Sequence, residues 1–246
     1  MSEGGFPLKW PFKIHHLHRC WKYRLRTEKD SLSWLLALDL AGKVVVDAGA
    51  NRGVYSYWMS KAVGPSGKTI AFEPQQECVD HLKRVKTKFR LRNLAIVPKG
   101  LSSYVGTATM ARDKPKSVGA SLEWVGNRPD GEYEHLQVEV DTLDAYFSNS
   151  RPPSLIKCDV EGHELSVFQG GQELLSRSHP DLLFECHRKE AIQGALFSFL
   201  ENLGYSGFFF EKGERHPADD FDKVPFSKPS LAHRNYIFQF DKTAKG

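Results

Sequence analysis

Apolar and polar positions in this chain follow two periods, and the two alternate along most of its length. Val44-Val45-Val46 is a continuous β-branched run, the pattern of a strand covered on both faces. Val54 to Val63 has helical spacing and is stopped by Gly64-Pro65-Ser66-Gly67. Thr69–Phe72 predicts a second strand, Gln75 to about Lys88 a second helix with a very basic face, and Leu94–Val97 a third strand. The alternation then lapses between 102 and 150. There Thr107–Ala111 and Leu136–Val140 predict extended segments. The polar stretch from Asp113 to Glu134 between them reads as an insertion placed to cover a site. Alternation resumes with strand Ser154–Cys158, helix Glu164–Leu175, strand Leu182–Cys186 and helix Glu190–Leu203. Tyr205–Phe210 and Tyr236–Phe240 are the closing strands. Strands alternating with helices predict an α/β fold with a parallel, doubly wound sheet, whose ligands bind outside the carboxyl ends of its strands.

Ahead of the first strand lies an arm of different texture. Residues 1–29 hold seven Lys and Arg against two Glu, or +5, while the whole chain is +4, so the remainder is nearly neutral. His15, His16, His18 and the aromatics Trp10, Phe12, Trp21 and Tyr23 are interleaved with those bases, a texture suited to an anionic glycan, a membrane surface or a second subunit. The simpler expectation is an arm packed over the domain. Asp30–Asp39 predicts a short helix capped by Asp30 or Ser31 and ended by Gly42. The chain therefore divides into a basic arm and helix, 1–40, and one α/β domain, 41–246, with its insertion near 102–150.

Composition narrows the class. With 246 residues and 40% hydrophobic content there is material for one proper core. No run approaches the roughly 18 apolar residues that span a bilayer, and Met1–Pro11 lacks the features of a signal peptide. The four cysteines form no C-x-x-C pair, and Cys158 and Cys186 lie in apolar runs and read as buried free thiols. A reducing cytoplasm is the expected setting. The basic helix, with Lys83, Arg84, Lys86, Lys88, Arg90 and Arg92, has no interleaved stacking aromatics. It reads as a solvated face, so nucleic acid is not an expected partner.

The candidate chemistry stands at the predicted strand ends. The first strand runs into Asp47-Ala48-Gly49-Ala50-Asn51-Arg52-Gly53, with Ser56 one turn into the helix. Such a turn lets a ligand approach the backbone and opens a helix N-terminus. Asn51 takes the place of the second glycine of G-x-G-x-x-G, which partly blocks a pyrophosphate, and Asp47 would repel one and suits a ligand bearing an ammonium or sulfonium. Glu73-Pro74 ends the second strand 20 residues beyond Gly53, where a carboxylate can accept from both hydroxyls of a ribose. The fourth strand ends in Lys157-Cys158-Asp159-Val160-Glu161-Gly162-His163-Glu164, and the fifth in Glu185-Cys186-His187.

These motifs, with Leu101-Ser102, resemble in order and spacing the FkbM family of class I S-adenosylmethionine-dependent methyltransferases, over about residues 43–187. The arm and the insertion around 113–134 lie outside the pattern. The resemblance implies a Rossmann-like, seven-stranded, mostly parallel sheet with one antiparallel strand. It implies S-adenosylmethionine as donor and S-adenosylhomocysteine as product. The loop Gly49–Gly53 would face the methionine part, Glu73 the ribose and Leu101–Ser102 the adenine. Asp159 would border both donor and acceptor. Family members are typically O-methyltransferases, so the expected acceptor is a hydroxyl on a sugar, glycan or other natural product.

A hydroxyl acceptor needs a base. His187 is the expected one, its tautomer set by Glu185 on the same side of the strand, and Glu161 is its rival. His163 reads as a solvent-facing cap. A divalent cation on Asp159, Glu161, Glu185 and His187 is a lesser reading, because mixed carboxylate and imidazole ligands suit Mg or Mn. The competing functions are an NAD(P)-dependent oxidoreductase, which the turn sequence disfavours, and a non-catalytic nucleoside-binding module.

Overall fold

The computed structural model describes residues 11–113, 120–122, 133–226 and 233–241. The arm forms α1 (Phe12–Lys22), one π turn (Tyr23–Thr27) and α2 (Lys29–Ala37). Next come β1 (Val44–Ala48), α3 (Val54–Val63), β2 (Lys68–Phe72), α4 (Gln76–Phe89) and β3 (Leu94–Val97). The insertion supplies β4 (Gly100–Leu101), β5 (Gly106–Asp113), β6 (Ala120–Ser121) and β7 (Tyr133–Asp141), followed by the short α5 (Leu143–Tyr146). The second half runs β8 (Leu155–Cys158), α6 (Glu164–Gln169), α7 (Gln172–Ser178), β9 (Asp181–His187), α8 (Arg188–Gln193) and α9 (Ala195–Asn202). It closes with β10 (Tyr205–Glu211), β11 (Glu214–Pro217) and β12 (His233–Phe240). Most of the expected insertion core, 114–119 and 123–132, lies outside the described residues, as do 1–10 and 227–232.

The main sheet has the order β3-β2-β1-β8-β9-β12-β10-β11. Pairings among β3, β2, β1, β8 and β9 are parallel, whereas β12 is antiparallel to both β9 and β10. The sheet therefore holds eight strands, two of them reversed, where seven with one reversed were expected. The extra strand, β11, is the polar segment Glu-Arg-His-Pro on the sheet's edge, which carries no apolar alternation. A two-residue turn makes it pair: Lys212 and Gly213 both have positive φ, 53° and 83°, as a tight hairpin requires.

Alternate residues of each central strand face opposite layers, as the period of two demands. Val44, Val46, Ile156, Leu182 and Phe184 pack with Val167, Phe168, Leu174, Phe197 and Leu200 of α6, α7 and α9. Val45, Ala71, Leu155, Leu183 and Ile237 pack with α3, α4 and the arm, through Met59, Leu82, Cys20, Leu32 and Leu35. Leu32 and Leu35 are fully buried, and each such side chain is worth roughly 1.5–3 kcal/mol. The arm is thus packed over the domain, as the simpler expectation held. Its second helix is shorter than expected and begins after Glu28 rather than Asp30 or Ser31; Gly42 lies in the turn before β1.

Two expected helices are each split at glycines. Gly170-Gly171 separates α6 from α7, and Gly194 (φ 71°) separates α8 from α9. A Cβ on Gly170 would lie 2.0 Å from the Ser102 carbonyl oxygen, so the break lets this helix layer touch the loop after β4. The insertion forms a second sheet, β4-β7-β5-β6, whose Met110, Ala120, Val138 and Val140 make a small core of their own. Among the described residues no helix is long and apolar enough to cross a membrane. All four cysteines are buried and free.

Candidate active site

Strands leave β1 in both directions, toward β2 on one side and β8 on the other. That is the switch point where a wound sheet opens a crevice at its carboxyl edge. The turn after β1 and the segment after β8 meet there. A Cβ on Gly49 (φ 69°) would lie 1.9 Å from the Asp159 carbonyl oxygen, so only glycine fits where these two segments cross. Asn51 is held in the left-handed region at φ 49°, and its N–H donates to Glu73 Oε2 at 2.7 Å. Gly53 (φ 77°) begins α3, and a Cβ there would meet Leu82 of α4 at 2.6 Å.

Three cavities lie in series along this edge. The first, about 140 Å³, is lined by Gly49, Ala50, Asn51, Tyr55, Lys157, Asp159, Glu185 and Asn235, and from the arm by Arg19, Tyr23 and Glu28. The second, about 70 Å³, shares Gly49, Asn51 and Asp159 with it and adds Glu73, Pro74, Glu161 and His163 to apolar walls. Phe72 and Leu101 form one wall, and Met110, Ala120 and Leu122 of the insertion form the roof. Of the stretch expected to cover a site, Ala120 and Leu122 line this cavity. The third, about 410 Å³, lies between residues 26–31 of the arm and the strands β10 and β12. It shares Glu28, Glu185 and Asn235 with the first.

Beneath the first cavity is a buried charge network. Asp47 is 0% exposed; its Oδ2 accepts from Ser56 Oγ, and its Oδ1 lies 3.6 Å from Lys157 Nζ. Lys157 also donates to Asp159 Oδ2 at 3.2 Å and faces the Gly49 carbonyl at 3.5 Å. Burial alone would pull the Lys157 ammonium down, but Asp159 and Asp47 hold it above its ordinary value. Burial pushes Asp47 up, against Lys157 and Ser56. Asp47 and Ser56 line none of the three cavities. They lie under the glycine turn, and the expected cation partner of Asp47 is this protein's own lysine. Lys157 stands in the strand-end motif quoted from the sequence, where no role was expected of it.

Glu73 is 3% exposed, and burial raises its carboxyl to about 7. Each oxygen accepts one backbone N–H, from Asn51 at 2.7 Å and from Gln75 at 2.8 Å. A carboxylate oxygen has a second lone pair, so both can still accept from a ligand. Ser102 is buried below the second cavity with its Oγ 3.0 Å from His163 Nε2. His163 does cap the start of α6, as expected, but its ring is buried and bonded to Ser102 rather than facing solvent.

The catalytic expectations change most. Glu185 and His187 do share a face of β9, but the carboxylate turns across the sheet. Its Oε2 lies 2.6 Å from His233 Nδ1, on the diagonal position of β12. That bond raises the His233 imidazole above its ordinary value, against burial. His187 instead caps the N-terminus of α8, its N–H donating to Glu190 Oε2 at 3.3 Å, and it lines none of the three cavities. Glu161 lines the second cavity with φ 57°. Burial, then Asp159 and Glu185, raise its carboxyl to about 7. Among the described residues no group of three or more His, Cys, Asp or Glu is arranged to hold a metal ion, so Asp159, Glu161, Glu185 and His187 do not form the ligand set considered above. Sequence reading missed Glu28, Tyr55, His233 and Asn235. The last two were lost because the closing strand starts three residues earlier than its apolar run, at His233.

Residues 47–206 match the family model of the methyltransferase FkbM domain. The chain belongs to the FkbM methyltransferase family. A relative, the methyltransferase sdnD of Sordaria araneosa, is 28% identical over 189 residues, which span 65% of this chain and 73% of that one. The crystal structure of methyltransferase FkbM from Methylobacillus flagellatus KT has a TM-score of 0.57 at 14% identity, covering 82% of this chain and 45% of the other. The chain thus spans less than half the length of that protein. An O-methyltransferase from Bacillus cereus, in complex with SAH, has a TM-score of 0.52 at 13% identity, over 96% of this chain and 93% of that one. At those identities the likeness is one of fold. The FkbM match leaves out the arm, with Glu28, and β12, with His233 and Asn235.

Proposed function

We propose that this chain transfers a methyl group from S-adenosylmethionine to a hydroxyl of a small molecule or glycan. The observation that carries this is the pair of cavities on either side of the Gly49–Asn51 turn, one apolar with a buried carboxylate at its edge, the other rich in carboxylates. The residues fit such a donor. Phe72, Leu101, Met110, Ala120 and Leu122 exclude water from a flat base, and Glu73 keeps a free lone pair on each oxygen for two ribose hydroxyls. Asp159, Glu185 and Glu28 present negative charge where a sulfonium would lie. When bound, the donor supplies an electrophilic methyl on positively charged sulfur.

The chain's own groups then position and deprotonate. Lys157 fixes the Asp159 carboxylate at the joint between the two donor cavities. The glycine turn lets the backbone lie directly against a ligand. The third cavity gives an acceptor access to the opposite side of the wall formed by Glu28, Glu185 and Asn235. Much of the rate would come from holding two substrates in register. Among the proton acceptors read from sequence, Glu185 stands on that wall but is bonded to His233. Glu161 faces the second cavity and His187 faces neither donor cavity.

Calorimetric titration with S-adenosylhomocysteine and NAD tests the donor assignment. Saturable binding of S-adenosylhomocysteine and none of NAD is expected; binding of NAD alone would reverse it. Methyl ethers among the products formed from labelled S-adenosylmethionine and fractionated metabolites and glycans test the hydroxyl assignment. Methylamines in their place would refute it.

A further inference from the structure

The wall between the donor cavity and the third cavity is partly built by the arm. Glu28 stands where the π turn Tyr23–Thr27 gives way to α2. A π turn inserts a residue into helical register and re-aims the side chains beside it. Leu25, Arg26 and Thr27 remain exposed while Glu28 is turned inward. Its Oε2 accepts from Tyr55 Oη of α3 at 3.2 Å and from Asn235 Nδ2 of β12, which also donates to Ser31 Oγ at 3.1 Å.

Charge is unevenly distributed among the carboxylates of this cavity. Asp159 is paired with Lys157, and Glu185 with His233. Glu28 has hydrogen bonds from neutral groups, and no ion pair to it occurs among the described residues. Asp159 and Glu185 face it as like charges and Lys157 and, from β12, the His233 imidazole as opposite ones, while Arg19, Tyr23 and Arg52 line the same cavity from α1, the π turn and the glycine turn. A cation entering this cavity supplies the partner Glu28 lacks; a neutral group does not. A nucleophile seated in the third cavity, across the wall, meets Glu28 on its way to the donor.

We propose that Glu28 reads the charge on the donor's sulfur, being ionised opposite the sulfonium and protonated opposite the thioether product, and so receives the acceptor's proton. This rests on the donor assignment above. In the step, the bond between methyl carbon and sulfur breaks and its electron pair stays on sulfur. A bond forms between the methyl carbon and the acceptor oxygen, and the hydroxyl proton passes to the Glu28 carboxylate. A sulfonium and a carboxylate thereby become a thioether and a carboxylic acid, and charge balances. Burial, then Glu185 and Asp159, raise the Glu28 carboxyl to about 7, so either form is accessible near neutrality.

Titration calorimetry in buffers of different ionisation enthalpy counts the protons exchanged on binding. At pH 7 the full chain is expected to release about half a proton with S-adenosylmethionine and to take up about half with S-adenosylhomocysteine. Glu28→Gln should abolish that difference while keeping S-adenosylhomocysteine affinity close to wild type. Its preference for S-adenosylmethionine over S-adenosylhomocysteine should fall by about tenfold, between the solvated and buried limits for one charge pair. Tyr55→Phe removes one donor to Glu28 and should move the pH of the largest proton difference upward. Equal proton counts for the two ligands in the wild type, or a difference that survives in Glu28→Gln, overturn the proposal. Failure of both ligands to bind the wild type refutes the donor assignment and this proposal with it; binding without a proton difference refutes only the role of Glu28.

Discussion

Replacing Lys157 by Met isolates the buried charge network, because Met fills much of the same volume and carries no charge. In the native protein Lys157 is 5% exposed and reaches Asp47 Oδ1 at 3.6 Å and Asp159 Oδ2 at 3.2 Å. Asp159 is partly solvated and can find water. Asp47 is 0% exposed and would keep only Ser56. Removing one member of a buried pair costs about 3–5 kcal/mol, because the other charge is left uncompensated. At about 2–4 °C per kcal/mol for a chain of this size, Tm should fall by roughly 6–20 °C. The loss should depend on pH. Without Lys157, burial pushes the Asp47 carboxyl up unopposed, so the folded variant binds a proton that the unfolded chain gives up near pH 4. A carboxyl raised on folding contributes stability below its unfolded pKa and loses it as pH rises through the folded one. The gap between Lys157→Met and wild type should therefore be small near pH 4.5 and widen toward pH 8. Urea denaturation followed by circular dichroism at both pH values measures it. Asp47→Asn added to Lys157→Met should recover most of the loss, since no charge then remains to be buried. A loss below about 1 kcal/mol at pH 8, the range of exposed pairs, or no recovery in the double variant, would refute the reasoning.

Gly49→Ala should abolish S-adenosylhomocysteine binding measured by calorimetry, because its Cβ would lie 1.9 Å from the Asp159 carbonyl oxygen and the two segments must part. Gly64→Ala, with a similar φ of 65° and nothing within 4 Å, should cost only the backbone strain of its φ 65°, ψ −171° conformation, about 1–3 kcal/mol, and leave binding intact; wild-type affinity in Gly49→Ala would remove the turn from the donor site. The ligand-free protein should lose thermal stability as pH rises from 6 to 8, because Glu28, Glu73 and Glu161 are all raised to about 7 and contribute stability only while protonated. His16 and His81, held down to about 4 by burial, act at the other end, their contribution being lost as pH falls from 6.5 through 4. A Tm that is flat or rising between pH 6 and 8 would contradict the carboxyl assignments.

The wound sheet was legible because its central strands bury both faces. Val44–Val46 carries that signal without help from elsewhere, whereas Leu94–Val97, an edge strand and only partly buried, is legible from its apolar run alone; the helix Val54–Val63 has the expected bounds at both ends. The turn chemistry was legible for a different reason. Gly49, Asn51 and Gly53 mark backbone that must take positive φ, and Glu73 marks the next strand end. What escaped was set by tertiary contacts. Gly170-Gly171 splits a helix because another loop touches it, and β11 pairs because of a hairpin turn rather than its own apolar pattern. Glu185 turned to His233 rather than toward His187 because the nearest partner on a sheet face is often across the strands, not along one.

The same face of the sheet explains why the site needs the arm. On the side of α3, the strands place Val45, Leu155, Leu183 and Ile237 toward the core, and the next positions on that face, nearer the carboxyl edge, are Asp47, Lys157, Glu185 and Asn235. Apolar positions thus turn polar across four neighbouring strands, in a row that steps two residues further along between β8 and β9, where Lys157 is level with Leu183. Such a row, left open, would be a solvated groove in which a carboxylate near a sulfonium is worth little, since attraction in water is many times weaker than at a partly buried site. Covering it takes an element with an apolar side toward the core and polar groups at the rim. The arm supplies both, with Leu32 and Leu35 in the core and Glu28, Tyr23 and Arg19 on the cavity. None of these arm residues belongs to the matched FkbM segment, which begins at residue 47. The glycine turn therefore lies within the matched FkbM segment, while the wall between the first and third cavities is built in part by residues outside it.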